Sequence, residues 1–220
     1  MRPVALLADN DVLLSAAHWG LLDQVPTMVG ATWSEVSVLT SLPPRTKKAD
    51  PKLFKDPAVA AALAPYLARC APLPDPEVSL IARLQGRQDI DVGEQVLFAA
   101  AGNAPEAFVV TGDKRAIRAL AAVHAQGLIP ELTGRVMCLE QLLWHALSTL
   151  GPNELLRRVR EYPDRDMATL AILGRTGSKS QAQIEEGLTS YLKDLNQTSP
   201  ELMARGHGCD GLGRLGAASP

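Results

Sequence analysis

Residues 107–111 read Ala-Phe-Val-Val-Thr, an unbroken apolar run closed by a polar residue, and residues 3–8 (Pro-Val-Ala-Leu-Leu-Ala) have the same form. Runs this short, without polar alternation, suit strands buried on both faces. Such strands belong to parallel sheets with helices on either side. Residues 27–31 and 135–139 supply two more short runs. Between them the apolar spacing turns helical, as in 11–23 with Val12, Leu13, Ala16, Ala17 and Leu21. Further helices are predicted near 33–42, 57–69, 93–101, 114–125 and 139–149. Short buried strands alternating with helices predict an α/β fold, a three-layer α/β/α sandwich around a central parallel sheet.

Two segments interrupt the alternation. Residues 43–57 (PPRTKKADPKLFKDP) are rich in proline and charge and predict a basic loop carrying Arg45, Lys47, Lys48, Lys52 and Lys55. Pro72, Pro74 and Pro76 mark a second connection. After Gly151-Pro152 no strand signal returns. Helical pieces are expected near 153–162, 165–174 and 179–195, the last with Ile184, Leu188, Leu192 and Leu195 along one face. The Gly-rich end from Gly206 reads as a disordered tail. The expected organisation is a domain over 1–150, a helical extension over 151–205 and a tail over 206–220.

With 46% hydrophobic residues the chain can build a sizeable core, and its formal net charge of −2 does not by itself attract nucleic acid. A nucleic-acid partner would need a local basic patch or bound metal. Cys70, Cys138 and Cys209 have no zinc-binding spacing and read as two reduced core thiols and one tail thiol. No apolar stretch approaches the ~18 residues needed to cross a bilayer. The expectation is a soluble cytoplasmic protein with no membrane partner.

Four acids sit where loops meet helices: Asp9 after the first strand, Glu35 after the expected second strand, Glu94 opening a helix, and Asp113 three residues beyond Phe-Val-Val. Each also has a local explanation. Thr32…Glu35 and Asp91…Glu94 have the form of capping boxes, and Asp9 and Asp113 suit N-cap positions. Taken together they say more, because in a parallel sheet the carboxyl ends of all strands meet at one edge. Carboxylates gathered there repel one another unless a cation neutralises them. An all-oxygen cluster suits Mg²⁺ or Mn²⁺ and metal-assisted chemistry on phosphate esters.

The segments LLADNDVLLSAAHWGLLD, ATWSEVSVLTSL, DIDVGEQVLFAAA and VVTGDKRAIRAL resemble, in order, the four acidic blocks of PIN-domain nucleases. The likeness is greatest to the subgroup related to toxins of toxin–antitoxin pairs, and it covers residues 3–149. It implies Mg²⁺ or Mn²⁺ and endoribonuclease activity on RNA. Asp9, Glu94 and Asp113 would be metal ligands. Glu35 would hold metal directly or through water, or orient the attacking water. Asn10 and Thr111 would be polar contacts near the substrate. Asp11 departs from the family pattern, in which a smaller polar residue is usual, and the extension has no counterpart in the minimal domain.

Other features are open to more than one reading. Lys114 and Arg115 either bind substrate phosphate or are ordinary helix surface. The 45–55 loop either meets RNA or is simply solvated. The apolar face of 179–195 packs on the domain, dimerises or binds an antitoxin-like partner. Trp19, Trp33 and Trp144 read as core or interface residues. Two rival functions remain. A haloacid-dehalogenase-type phosphatase is suggested by Asp9-Asn10-Asp11 and Gly112-Asp113, but Leu13 and the lack of an acid soon after Asp113 argue against it. The other is a PIN-like module that binds RNA or protein without cutting.

Overall fold

The structure is a computed structural model and describes residues 5–205. The elements run in chain order as β1 (Leu6–Ala8), α1 (Asn10–His18), α2 (Gln24–Thr27), β2 (Val36–Val38), α3 (Leu42–Lys47), α4 (Pro57–Leu67), α5 (Val78–Leu84) and α6 (Val92–Gly102). They continue as β3 (Phe108–Thr111), α7 (Lys114–His124), β4 (Val136–Cys138), α8 (Leu139–Leu150), α9 (Pro152–Glu161), α10 (Met167–Leu173) and α11 (Gln181–Thr198). The strands form one sheet in the order β2-β1-β3-β4, with every pair parallel. Chain order reverses at β1: the chain steps from β1 to β2 on one side, then crosses back to β3 on the other. Open α/β sheets place their ligand crevice at the carboxyl end of such a reversal.

Period-two alternation divides the strand residues between two cores. Leu6, Ala8, Val36, Val38, Val110 and Met137 pack on one face, with residues of α1, α4 and α8. Leu7, Val109, Val136 and Cys138 pack on the other, with residues of α5, α6 and α7. Helices therefore cover both faces, as expected for this α/β class. Trp19 and Trp33 are core residues. Among the described residues no helix is long and apolar enough to cross a membrane.

The second strand lies elsewhere than expected. Residues 27–31 end α2 and turn through Gly30, at φ 68. The strand is Val36–Val38, inside the stretch expected to be helical. The Thr32…Glu35 capping box is real, but it opens a single 3₁₀ turn, Trp33–Glu35. Val-Ser-Val has the β-branched, every-second-residue pattern that favours pleated pairing against β1, and that pairing prevails over local helix signals. The buried Ser37 hydroxyl donates to the Pro72 carbonyl at 2.9 Å. The expected 43–57 loop instead begins with α3. Pro43 and Pro44 fall in its first turn, where a missing N–H costs nothing.

Residues within 151–205 share both cores. Leu155, Leu156, Val159, Ile172 and Leu173 join the first core. Ile184 and Leu188 of α11 pack with the first core and Leu192 and Leu195 with the second, so α11 straddles the β4 side of the sandwich. Its apolar stripe is buried within the chain itself. The chain then returns beside β4: Val136 N–H donates to Leu202 O at 3.1 Å and Ala204 N–H donates to Val136 O at 2.8 Å. This pairing covers an edge that would otherwise be open to another chain. The expected tail 206–220, with His207 and Cys209, lies outside the described residues, as do Pro3 and Val4 at the start of the first run.

Candidate metal centre

Asp9 is the residue after β1. Its backbone N–H continues the sheet ladder to Val110 O at 3.0 Å, and its side chain caps α1 through Asn10 N–H at 2.7 Å. Asp113 caps α7, accepting from the backbone N–H groups of Arg115 at 2.8 Å and Ala116 at 3.3 Å. Thr111, fully buried at the end of β3, links the two acids. Its hydroxyl lies 3.4 Å from Asp9 Oδ2 and accepts from Asp113 N–H at 3.1 Å. Glu94 enters from α6, where Asp91 N–H donates to Glu94 Oε2 at 2.9 Å and Glu94 N–H donates to Asp91 Oδ1 at 2.8 Å. The glycine before Glu94 is constrained by close approach. A Cβ at Gly93 would lie 3.2 Å from both Asp91 Oδ1 and Leu39 Cδ1.

Capping and clustering are thus not alternatives here: the same carboxylates do both. The parallel sheet brings three helix starts, far apart in sequence, to one edge. The electrostatics record it. Burial, then the charge of Asp11, and that of Asp91, raise the Asp9 carboxyl from 3.8 to about 6, against the lowering effect of the Asn10 N–H and Thr111. Burial raises Glu94 from 4.5 to about 7, with added repulsion from Asp91, Asp113 and Asp9 outweighing the Asp91 N–H. Asp113 goes the other way. Burial acts to raise it, but hydrogen bonds from the Arg115 side chain and from the Arg115 and Ala116 backbones prevail and hold it below the usual carboxylate range.

Asp113 is the wall between two shallow clefts. One, of about 250 Å³, is lined by Asp89, Ile90, Asp91, Glu94, Asp113 and Arg115. The other, of about 200 Å³, is lined by Asp11, Ser15, Gly112, Asp113, Leu139 and, from the segment beyond residue 150, Arg165 and Asp166.

Compared with family models, curated proteins and solved structures, the chain matches none of them. The chemistry of the site is therefore read from its own residues.

Glu35 does not belong to the cluster. It precedes β2, and Ala5 N–H donates to Glu35 O at 2.8 Å, so it lies at the amino edge of the sheet. Its carboxylate accepts from Thr32 N–H at 2.9 Å and from the Thr32 hydroxyl at 2.7 Å. The residues that follow β2 at the carboxyl edge are Leu39, Thr40 and Ser41, none acidic. Asp91 takes the fourth place in the electrostatics. Its motif was visible as a cap, but its nearness to Asp9 was not.

The expected substrate contacts are also redistributed. Lys114 is tied to the fully buried Glu140 at 2.5 Å and lies over the Tyr191 ring, 5.1 Å from its centre. Arg115 is 74% exposed and its Nη2 is 3.1 Å from Asp113 Oδ2, which puts a guanidinium at the rim of the acidic cleft. Asn10 Oδ1 is buried with no hydrogen-bond partner among the described residues.

The donor set is hard oxygen, half-enclosed and mutually repelling, which suits Mg²⁺ or Mn²⁺. As they are placed, no three His, Cys, Asp or Glu side chains among the described residues converge closely enough to hold an ion between them.

Proposed function

We propose that this chain is a metal-dependent nuclease of PIN type that hydrolyses RNA phosphodiester bonds. The observation that carries the reading is the placing of Asp9, Glu94 and Asp113, from three separate segments, towards the carboxyl ends of β1 and β3, where burial and neighbouring carboxylates raise two of them. Carboxylates kept ionised in such surroundings call for a cation. Asp9, Glu94 and Asp113 would hold Mg²⁺ or Mn²⁺. The ion would polarise the phosphodiester and supply hydroxide near neutral pH.

The chain's own groups prepare the site. Thr111 fixes the Asp9 carboxylate through its hydroxyl and the Asp113 backbone through the same oxygen. The Asp91 N–H fixes one oxygen of Glu94. Arg115 pairs with Asp113, and were a cation to take its place there, the guanidinium would be free to meet a phosphate oxygen, for which its planar fork is suited. The resemblance to toxin nucleases would bring a neutralising partner with it, but the α11 stripe is already covered within the chain and is not that partner's seat.

The test is cleavage of a panel of structured RNAs with Mn²⁺, Mg²⁺ or EDTA, with wild type beside Asp9→Asn. Cutting that needs both metal and Asp9 supports the reading. A folded protein that cuts with neither metal supports the second reading, a non-cutting RNA- or protein-binding module. That reading is favoured by the Arg115–Asp113 pair, which occupies one of the three acids.

A further inference from the structure

Arg165 lies in the turn between α9 and α10, in the segment beyond residue 150, yet it reaches the wall of the second cleft beside Asp113. Its guanidinium is held by two neutral acceptors: Nε donates to Ser15 Oγ at 3.1 Å, and Nη2 donates to the Asp11 backbone carbonyl at 3.1 Å. Nη2 also meets Asp11 Oδ1 at 3.2 Å, and Nη1 makes no hydrogen bond among the described residues. The Asp11 side chain is 71% exposed and the Arg165 side chain 23%.

These facts separate two jobs. The neutral acceptors aim the guanidinium, and they remain if the carboxylate leaves. The exposed ion pair adds little, since such pairs are worth about 0–1 kcal/mol, so another anion can take the place of Asp11 without disturbing the aim. Preorganisation of this kind lowers the cost of binding. The other carboxylates of the cleft have partners of their own. Asp113 has Arg115, and Asp166 accepts from Thr169 N–H at 2.6 Å and lies near Lys114.

We propose that Arg165 anchors a phosphate of the RNA strand next to the one brought to the Asp9, Glu94 and Asp113 carboxylates, with that phosphate displacing the Asp11 side chain. This rests on the phosphodiester reading above. Arg165 is a positioning residue. It binds strand and takes no part in bond cleavage, and it gives the segment beyond residue 150 a direct share in the site.

The experiment is fluorescence anisotropy of a labelled single-stranded RNA oligonucleotide with the full-length chain, in EDTA and in Ca²⁺, with thermal melts confirming that each variant is folded. Arg165→Ala is expected to bind on the order of tenfold more weakly, as for the loss of one charged hydrogen-bonded contact. Its salt dependence should fall by about one phosphate contact. Arg165→Lys should recover part of the affinity, and Asp11→Asn should bind as tightly as wild type or more tightly. A merely structural tie predicts instead that Asp11→Asn and Arg165→Ala behave alike. That result, unchanged affinity in Arg165→Ala, or no RNA binding by wild type in either condition would overturn the proposal. Cleavage dependent on metal and Asp9, with KM unmoved by Arg165→Ala, would overturn this inference and leave the nuclease reading standing. Arg165-dependent binding without cleavage under any metal would do the reverse.

Discussion

Asp9 and Glu35 lie at opposite edges of the same sheet. Leu6 pairs in register with Val36, so Asp9 extends beyond the carboxyl end of β1 while Glu35 extends below the amino end of β2. The two are four residues apart along the strand direction, about 13 Å at roughly 3.3 Å per residue. Glu35→Gln is therefore expected to leave RNA cleavage within about twofold of wild type and to change stability little, because Gln closes the same capping box. Glu94→Gln should abolish cleavage. A Glu35→Gln enzyme as inactive as Glu94→Gln would require the sheet register to be wrong.

The raised carboxyls fix how the metal-free protein responds to pH. In the folded state Asp9 titrates near 6 instead of 3.8, and Glu94 near 7 instead of 4.5. At pH below the unfolded values both states are protonated alike and the fold carries no penalty. As pH rises the unfolded chain ionises first, so stability is lost progressively until the folded values are passed. For Asp9 the loss is on the order of 3 kcal/mol. Thermal melts in EDTA should show Tm falling between pH 4 and pH 7 (roughly the span of these shifts), and Asp9→Asn should flatten part of that fall. Mn²⁺ should restore stability most at the upper end, where the ligands are ionised. A flat wild-type profile would argue that these carboxylates are solvated.

Arg115 competes with any cation for Asp113. Its removal should tighten Mn²⁺ binding, measured by calorimetry, by about fivefold or less, since the arginine is largely exposed and such pairs are weak. If the same variant also cuts RNA more slowly, Arg115 meets substrate once metal is bound. Weaker Mn²⁺ binding in Arg115→Ala would show that the arginine organises the site.

Lys114 and Glu140 form a buried pair between α7 and α8, immediately after Asp113 in the chain. Lys114→Met strands a carboxylate that has no access to water and should cost about 3–5 kcal/mol in urea denaturation. Adding Glu140→Gln should recover much of that loss, because a neutral amide is cheaper to bury than a lone charge. If the two losses simply add, the residues do not depend on each other.

A chain ending at residue 150 would expose the β4 edge that now pairs with Leu202 and Ala204, and would remove core residues from both faces of the sheet. Such a truncation should aggregate when examined by size-exclusion chromatography. A monodisperse, folded 1–150 fragment would show that the segment beyond it is dispensable for folding.

The chain's local patterns determined the parts of this protein that depend on neighbours in sequence. The runs around Leu6–Ala8, Phe108–Thr111 and Val136–Cys138 are strands because their mainly apolar side chains are best buried on both faces of a sheet. Asp9, Asp91 and Asp113 stand where helices begin because their side chains satisfy free N–H groups there. The second strand was hidden because Trp33, Val36 and Leu39 also fit a helical spacing. Only pairing with β1 settles Val36–Val38 as a strand, and with it the exclusion of Glu35 from the site. Tertiary structure likewise decided which cations matter. Lys114 and Arg115 adjoin in sequence but differ in burial, and Arg165, in a turn with no motif of its own, is carried to Asp11 by the packing of α9 and α10. A sequence can specify a cap or a buried run through contacts a few residues long. Which carboxylates share an edge, and which guanidinium reaches them, follows from the strand order and from the packing of distant helices.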